Sequence, residues 1–450
     1  MDKKLANFIL YKLYHSKNIK YLHYDLFSEI KLNENDSNIK VGLINIACAG
    51  FGDIINCKTF SEYLEMWYPN IKVTICTSSP HKFKSLGISE KNLTKIEAIK
   101  VYDKDEDSEC QPFNNLKFSN KIPKFDIIVV VPMVNDYFSV KELQKFIPYA
   151  NSYNSFAVSE YNGEYPPYAF PTGVGPGTLG LMLTNMTIKK HNLIKSPYAL
   201  AYTAGHNTGC NLHTNHCILS FIEMICKKYK DKKKLQLIIP PWLCSTQETS
   251  ILTSKQLKNK LIKIVERYFG SCYLFLNEGV LSENNVIELV KTELNNKEFI
   301  LRGDILPKPR EEFISLIKYS LPDVLLTGDQ SVTDGISYSN MNKIIWYQVC
   351  PWKQDLANNL AKQINNKYLD NYKTSCGTLK GIKINPENRN LIKNYDFRKK
   401  GKIRMDSILK FNSVKNNPLI LILIECINSS RKSETAMKKF IKKVKLKYKL

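Results

Sequence analysis

The chain has 450 residues, of which 43% are hydrophobic and 24% are charged. This composition excludes collagen-like and wholly disordered proteins, and the length leaves room for two or three domains. No uninterrupted apolar run reaches the roughly 18 to 20 residues of a membrane-spanning helix. The first 15 residues are interrupted by lysines and lack the long apolar core of a secretory signal, so we expect a cytoplasmic protein.

Positive charge dominates the chain and is concentrated near its end. The formal net charge is +23, and residues 398–450 hold 16 basic and 3 acidic residues, a net of +13. Only 7 of the 65 basic residues are arginine, whose planar fork is the usual reader of phosphates and bases, so nucleic acid is not the expected partner. We expect residues 381–450 to form a basic helical extension that can contact an acidic surface peripherally.

Short apolar runs separated by helix-length segments predict βαβ units and parallel sheets. In the first half the predicted strands are 41–47, 71–77, 99–102, 126–131 and 156–160, with a helix at 59–67. A segment rich in glycine and proline, 164–180, then indicates a connection or a loop that lines a cleft. In the second half the predicted strands are 198–203, 235–239, 272–276, 299–301, 324–326 and 344–347, and the predicted helices are 219–228, 258–268, 285–292 and 311–320. We therefore expect one α/β domain over 1–180 and another over 190–380.

A glycine turn follows the first predicted strand and contains Gly50, Gly52 and Asp53. Glycines let the backbone approach a ligand, and the helix that follows offers amides to an anion. A nicotinamide-binding turn would carry a third glycine where Ile55 stands, so a dehydrogenase is disfavoured. Asp53 is then a candidate general base, although an aspartate at a helix start also simply complements the helix dipole.

The second motif joins a predicted strand to a helix through Gly328, Asp329, Gln330 and Ser331. The spacing of Ser331 and Asp334 is typical of a capping box. The next predicted strand ends at Tyr347. Gln348 follows directly, and Lys353 lies five positions after Gln348. Because the carboxyl ends of neighbouring parallel strands converge on one crevice, we expect these side chains to contact one shared ligand.

Other loops supply weaker candidates. Arg302 and Lys308 lie in a basic loop that suits a charge clamp on a diphosphate, although pairing with local carboxylates is an equally good interpretation. Glu160, at the end of a predicted strand, is a second candidate catalytic residue, and His206, after another predicted strand, is a candidate donor contact; both can rim the same cleft. The remaining candidates are Gly175 and Gly177 in the glycine- and proline-rich segment, as part of an acceptor or phosphate loop.

Neither a metal nor a cofactor is expected. The 12 cysteines include no CxxC pair, which favours reduced thiols. A cluster of histidines and cysteines over 206–217 matches no common zinc spacing. No Asp-x-Asp motif lies at a predicted strand end.

These motifs resemble those of glycosyltransferases of the GT-B type. The nearest similarity is to the protein-arginine rhamnosyltransferase family, whose Tyr-Gly-Asp-Ile turn resembles 51–54, whose Arg-Gly-Glu-Asp-Ser loop resembles 327–331, and whose Trp-His-Ile-Tyr-Pro strand end resembles 346–351. The chain carries Ala49 and Thr327 where that family carries aspartate and arginine. The resemblance implies two facing Rossmann-like domains with parallel sheets, a nucleotide sugar bound by the second domain, Asp53 as base, and donor contacts from Asp329, Gln330 and Ser331.

The hypothesis from the sequence is thus a metal-independent, inverting glycosyltransferase with an unidentified glycan or protein acceptor. Two alternatives stay open. A nucleotide-sugar epimerase can use the same architecture with no second acceptor, and a non-catalytic binding protein would work through its basic tail.

Overall fold

The computed structural model describes residues 39–46, 51–100, 113–118, 125–133, 155–159, 169–175, 178–183, 187–190, 193–203, 211–245, 250–277, 285–292, 295–338, 343–349, 354–364, 372–375, 377–379, 382–402 and 405–406, with isolated positions from 435 to 446. Contacts between Cα atoms divide the chain into two compact units. The first comprises Met1–Met182 and Tyr395–Leu450, and the second comprises Leu183–Asn394.

The first unit is built on a seven-stranded, mostly parallel sheet. Its strands are β1 (Lys40–Asn45), β2 (Lys72–Thr77), β3 (Leu93–Lys100), β4 (Phe113–Phe118), β5 (Ile127–Met133), β6 (Ser155–Ser159) and β7 (Ala169–Pro171), in the spatial order β4-β3-β2-β1-β5-β6-β7. Only the edge pair β3–β4 is antiparallel. Helices α1 (Gly52–Trp67) and α2 (Pro80–Ser85) connect the first strands. Strands β2 to β4 lie on one side of β1, and strands β5 to β7 lie on its other side. The direction in which the chain adds strands therefore reverses between β1 and β5.

The strands of the first sheet form because apolar, β-branched runs are buried there. In β1, five of the six residues are buried. Gly42 in this strand permits a close approach, since a Cβ there would lie 2.7 Å from the ring of Phe125. On one face Phe60 and Tyr63 of α1 pack against Phe397, with ring centroids 5.8 Å apart in each pair. Residues near the end of the chain thus complete the core of the first unit.

The second unit contains an eight-stranded sheet with a parallel centre. Its strands are β8 (Tyr198–Tyr202), β9 (Lys234–Ile238), β10 (Ser271–Phe275), β11 (Val286–Lys291), β12 (Glu298–Arg302), β13 (Asp323–Leu326), β14 (Ile344–Tyr347) and β17 (Ile382–Ile384), in the order β11-β10-β12-β9-β8-β13-β14-β17. The two edge strands β11 and β17 are antiparallel to their neighbours. Strands β15 (Tyr372–Thr374) and β16 (Gly377–Leu379) form a separate hairpin.

Helices fill the connections of the second sheet. They are α3 (Asn211–Lys228), α4 (Lys255–Val265), α5 (Arg310–Tyr319), α6 (Asp329–Tyr338), α7 (Gln354–Gln363) and α8 (Pro386–Lys393). A large apolar cluster joins α3 and α4 to one face of the sheet. Gly335 lets α6 approach the other face, because a Cβ there would lie 3.0 Å from side-chain carbons of Leu326 and Ile345. Both units are therefore α/β with mostly parallel sheets, an arrangement compatible with Rossmann-like domains.

One prediction from the sequence is wrong. The segment 285–292 was expected to be a helix, but it contains strand β11, paired antiparallel with β10. Its β-branched residues Val286, Ile287 and Val290 suit a strand, and pairing with the sheet edge outweighs their weak helical spacing. The segment 381–450, expected to form a basic helical extension, is divided between the two units: β17 belongs to the second sheet, and residues from Tyr395 group with the first unit.

Within the described ranges, no helix combines the length and the apolar character that crossing a membrane requires.

Candidate functional site

The topology of the second sheet places a switch point between β8 and β13. From β8 the chain passes to β9, on one side, whereas β13 lies on the other side and is reached from β12. Strands β8 and β13 are parallel neighbours, with Tyr202 opposite Leu326. In open α/β sheets, ligands bind in the crevice outside the carboxyl ends of the strands at such a point. The turn after β13 is therefore the expected position of a ligand site.

That turn contains the predicted residues Gly328 to Ser331. The first helical bond of α6 joins the Val332 amide to the Gly328 carbonyl, at 2.9 Å. The Ser331 hydroxyl donates to the same carbonyl, at 2.7 Å. The predicted capping box is wrong, because α6 begins at Asp329 and so contains Ser331 in its first turn. A helix start of this kind presents amides and a positive dipole end to an anion.

Side chains from the end of β14 hold this turn. The Tyr347 hydroxyl donates to Asp329 Oδ1 at 3.1 Å, and Tyr347 itself is fully buried. Gln348 is also buried and hydrogen-bonds through Oε1 to the Thr327 hydroxyl. The structure thus brings Gly328, Asp329, Tyr347 and Gln348 together, and it gives Tyr347 and Gln348 a positioning contact with the turn.

Arg302 lies at the carboxyl end of β12, but its guanidinium is already paired. Its Nε and Nη2 donate to the two carboxylate oxygens of Asp304, each at 2.7 Å, and Nη1 donates to Gln236 at 3.0 Å. The guanidinium also lies 5.2 Å from the centroid of the Phe275 ring. These contacts support the alternative interpretation, in which the arginine pairs with a local carboxylate.

Lys308 is a half-exposed surface residue. Its Nζ lies 3.9 Å from Glu312 Oε2, one helical turn further along the chain. An exposed pair at this distance contributes little to stability, so Lys308 can reorient at small cost.

A buried ion pair beside the turn was missed by the sequence reasoning. Arg310, at the start of α5, donates from Nη2 to Asp334 Oδ1 at 3.0 Å, and the two side chains are 11% and 3% exposed. Gln330 Nε2 donates to the same oxygen at 3.1 Å. Asp334 therefore ties the start of α5 to the first turns of α6. Its pairing with Arg310 spans 24 residues and could be anticipated only from the strand order.

Within the part of the chain that the structure describes, two polar atoms of this network are buried and have no hydrogen-bond partner, namely Arg310 Nε and Gln330 Oε1. A third is the hydroxyl of Thr203, which directly follows β8. Buried polar groups normally have a hydrogen-bond partner. A donor, an acceptor and a hydroxyl that lack one near the carboxyl ends of neighbouring strands are therefore a sign of a polar ligand or of ordered water.

An aromatic pair also lies at the carboxyl ends of these strands. Tyr202, the last residue of β8, is 38% exposed and contacts Phe313 of α5 edge-on, with ring centroids 4.9 Å apart. Phe313 is three residues after Arg310, so the two share a face of α5. The aromatic pair was not singled out from the sequence, because an aromatic residue at the end of an apolar strand is usually core.

In the first unit, a buried asparagine at the end of β1 connects neighbouring strands to α1. Asn45 Nδ2 donates to the carbonyls of Val131, at 2.9 Å, and of Asp53, at 3.2 Å, and its Oδ1 accepts from the Thr77 hydroxyl. One fully buried side chain thus joins the ends of β1, β2 and β5 to the start of α1. These strands flank the point where the order of the first sheet reverses.

Asp53 and Gly52 lie in the first turn of α1, which begins seven residues before the helix predicted at 59–67. A Cβ on Gly52 would meet no atom within 4 Å, so this side of the turn is open within the described structure. Phe51, which precedes the helix, is 46% exposed. Burial raises the pKa of the nearby Cys57 thiol, and the neighbouring Cys76 and Asp53 raise it further, so Cys57 is an inert thiol rather than a nucleophile.

The described residues of the glycine-rich segment after β7 are buried and hydrogen-bonded to one another. Gly173 and Gly175 have φ of +113° and +109°, a conformation that favours glycine. The Thr178 hydroxyl contacts both of their carbonyls, at 3.1 and 3.0 Å. The two glycines therefore have a structural role in this loop. The hydroxyl of Ser159, at the end of β6, is buried and unpaired.

Five predicted site residues lie outside the described residues: Glu160, His206, Lys353, Gly50 and Gly177. The same holds for side chains of the histidine and cysteine cluster before Cys217. Where the structure does describe side chains, it contains no group of three or more His, Cys, Asp or Glu residues arranged to hold a metal ion.

Comparison of the chain with models of known protein families gives no match, and comparison with curated proteins gives none either.

Proposed function

We propose that the protein is a glycosyltransferase of the GT-B type that binds a nucleotide-sugar donor at the switch point of its second unit. The observation that carries the proposal is the turn Gly328–Ser331 at the carboxyl end of β13, held by Tyr347 and Gln348. A helix start there can bind a diphosphate through backbone amides, and the Asp329 carboxylate can accept hydrogen bonds from hydroxyls of a sugar or ribose.

The surroundings of the turn support a nucleotide as the ligand. Arg310 is a cation of this network, and its Nε has no hydrogen-bond partner among the residues that the structure describes. The partly exposed Tyr202 offers an aromatic surface for a base next to the turn, since it pairs in register with Leu326. An anion site and an aromatic surface together suit a nucleoside diphosphate better than a free sugar.

Asp53 in the first unit is the proposed general base. It would take the proton of the acceptor as the acceptor bonds to the anomeric carbon, and the bond to the diphosphate oxygen would break with its electron pair leaving on the diphosphate. This displacement inverts the anomeric centre. Fixed amides would stabilise the departing charge without need of a metal.

Calorimetric titration of the full chain with UDP, GDP, dTDP and ADP, and with their sugar conjugates, tests the donor site. We expect at least one nucleotide to bind, and we expect Asp329→Asn to weaken binding of the sugar conjugate about tenfold or more, the range for a hydrogen bond to a charged group.

The matched control is Asp231→Asn, which removes the same charge from an exposed turn just before β9, at the amino ends of the parallel strands. Failure of all four nucleotides to bind, or an equal loss in both variants, would refute the proposed donor site. Product analysis with the bound donor then separates transfer to an acceptor from epimerisation of the nucleotide sugar.

A further inference from the structure

The described positions near the end of the chain form the exposed, lysine-rich side of a helix. Residues 435, 438, 439, 442, 443, 445 and 446 are α-helical, and every one of them is exposed. Five of these seven are lysines: Lys438, Lys439, Lys442, Lys443 and Lys445. We call these five residues the lysine face. The segment has no part in the nucleotide site proposed above.

The spacing of these residues places them on one side of the helix. Successive residues of an α-helix are rotated by about 100°, so the seven exposed positions fall within an arc of about 160°. In the sequence, the five intervening positions from 436 to 444 are all apolar: Ala436, Met437, Phe440, Ile441 and Val444. The sequence thus segregates charge and apolar character on two sides of one helix.

The charge density of the lysine face is high. From Lys438 to Lys445 the helix rises by only about 10 Å, close to the screening length at physiological salt. Five positive charges within this distance act on a nearby anionic surface as one cluster.

We propose that the lysine face docks the protein on an anionic phospholipid membrane. A lysine ammonium is a strongly hydrated point charge without the planar fork that grips single phosphates, so a lysine-only face suits a surface of diffuse charge. Leu446, which lies within the same arc, is 73% exposed. An apolar side chain at this position can enter the headgroup region of a membrane, whereas it gains nothing on a nucleic-acid backbone.

Cosedimentation of the full chain with lipid vesicles tests the docking. One set of vesicles is phosphatidylcholine alone, and the other contains about 30 mol% phosphatidylserine. We expect binding to the anionic vesicles only, with a loss as salt rises from about 0.1 M to about 0.5 M. Replacing three lysines, in K439Q/K442Q/K443Q, is expected to weaken binding about 100-fold, from the typical contribution of one lysine near such a surface.

A charge-matched control is K255Q/K260Q/K291Q, which removes three exposed lysines of the second unit. It should bind the anionic vesicles like the natural chain. Equal losses in the two triple variants would assign the binding to overall charge and overturn the proposal. So would absence of binding to anionic vesicles, or binding to duplex DNA or RNA alone that depends on the lysine face. Because no nucleotide enters this assay, its outcome is independent of the proposed donor site.

Discussion

The buried pair of Arg310 and Asp334 makes a quantitative prediction about the candidate donor site. Asp334→Asn keeps the shape of the side chain but removes the countercharge of a guanidinium that is only 11% exposed. Breaking a buried ion pair from one side costs about 3 to 5 kcal/mol, because the remaining charge stays buried without compensation. Arg310→Met should also be destabilising, since the Asp334 carboxylate, 3% exposed, would lose its charged partner Arg310 while it keeps the neutral Gln330 donor.

The double variant R310M/D334N should be less destabilised than the sum of the two single changes. With neither charge left in the interior, we expect a coupling free energy of about 1 to 3 kcal/mol. Urea denaturation of the four proteins, followed by circular dichroism, measures it. The midpoints should shift while the slope with urea stays constant, which shows that stability rather than compactness has changed.

A control cycle uses Lys308, which lies just before α5, and Glu312 in its first turn; their charged atoms are 3.9 Å apart and both side chains are about one-third exposed. Surface pairs contribute about 1 kcal/mol or less, so its coupling should be small. If the changes at Arg310 and Asp334 add within about 0.5 kcal/mol, the pair does not join the starts of α5 and α6 as described, and the reasoning is refuted.

Two further predictions concern stability elsewhere in the second unit. Burial lowers the pKa of Lys343 from 10.5 to about 7, so between these values the unfolded chain binds the proton more tightly and the free energy of unfolding should rise with pH. Lys343→Met should flatten that rise in urea titrations across the window, and an unchanged pH dependence would contradict the assignment. Gly303→Ala would place a Cβ 2.5 Å from Cys244 Sγ, so we expect a loss of about 1 to 3 kcal/mol that Cys244→Ala in the same chain partly reverses. A thermal melt measures both variants, and equal losses with and without Cys244 would show that the clash is not the cause.

Much of the strand pattern could be predicted from the sequence, because buried parallel strands are continuous apolar runs. The predicted strand at 344–347 coincides with β14, and the turn before α6 lies where its glycine and its aspartate predict. Local chemistry determines these features, and it is visible within a few residues.

Features that depend on strand order could not be predicted in this way. Gln236 binds Arg302 across 66 residues, because β9 and β12 are neighbours in the sheet. When the strand order is not known, the sequence favours Arg302 as a charge clamp for a ligand. Strand β11 was predicted to be a helix for a related reason: its pairing partner, rather than its own periodicity, determines its structure.

A crystal structure of the chain soaked with the nucleotide diphosphate that binds most tightly tests the central claim most directly. The account predicts that the diphosphate contacts the backbone amides at the start of α6, beside Asp329. A nucleotide bound at the amino ends of the strands, or one that makes no contact with residues 328–331, would contradict it.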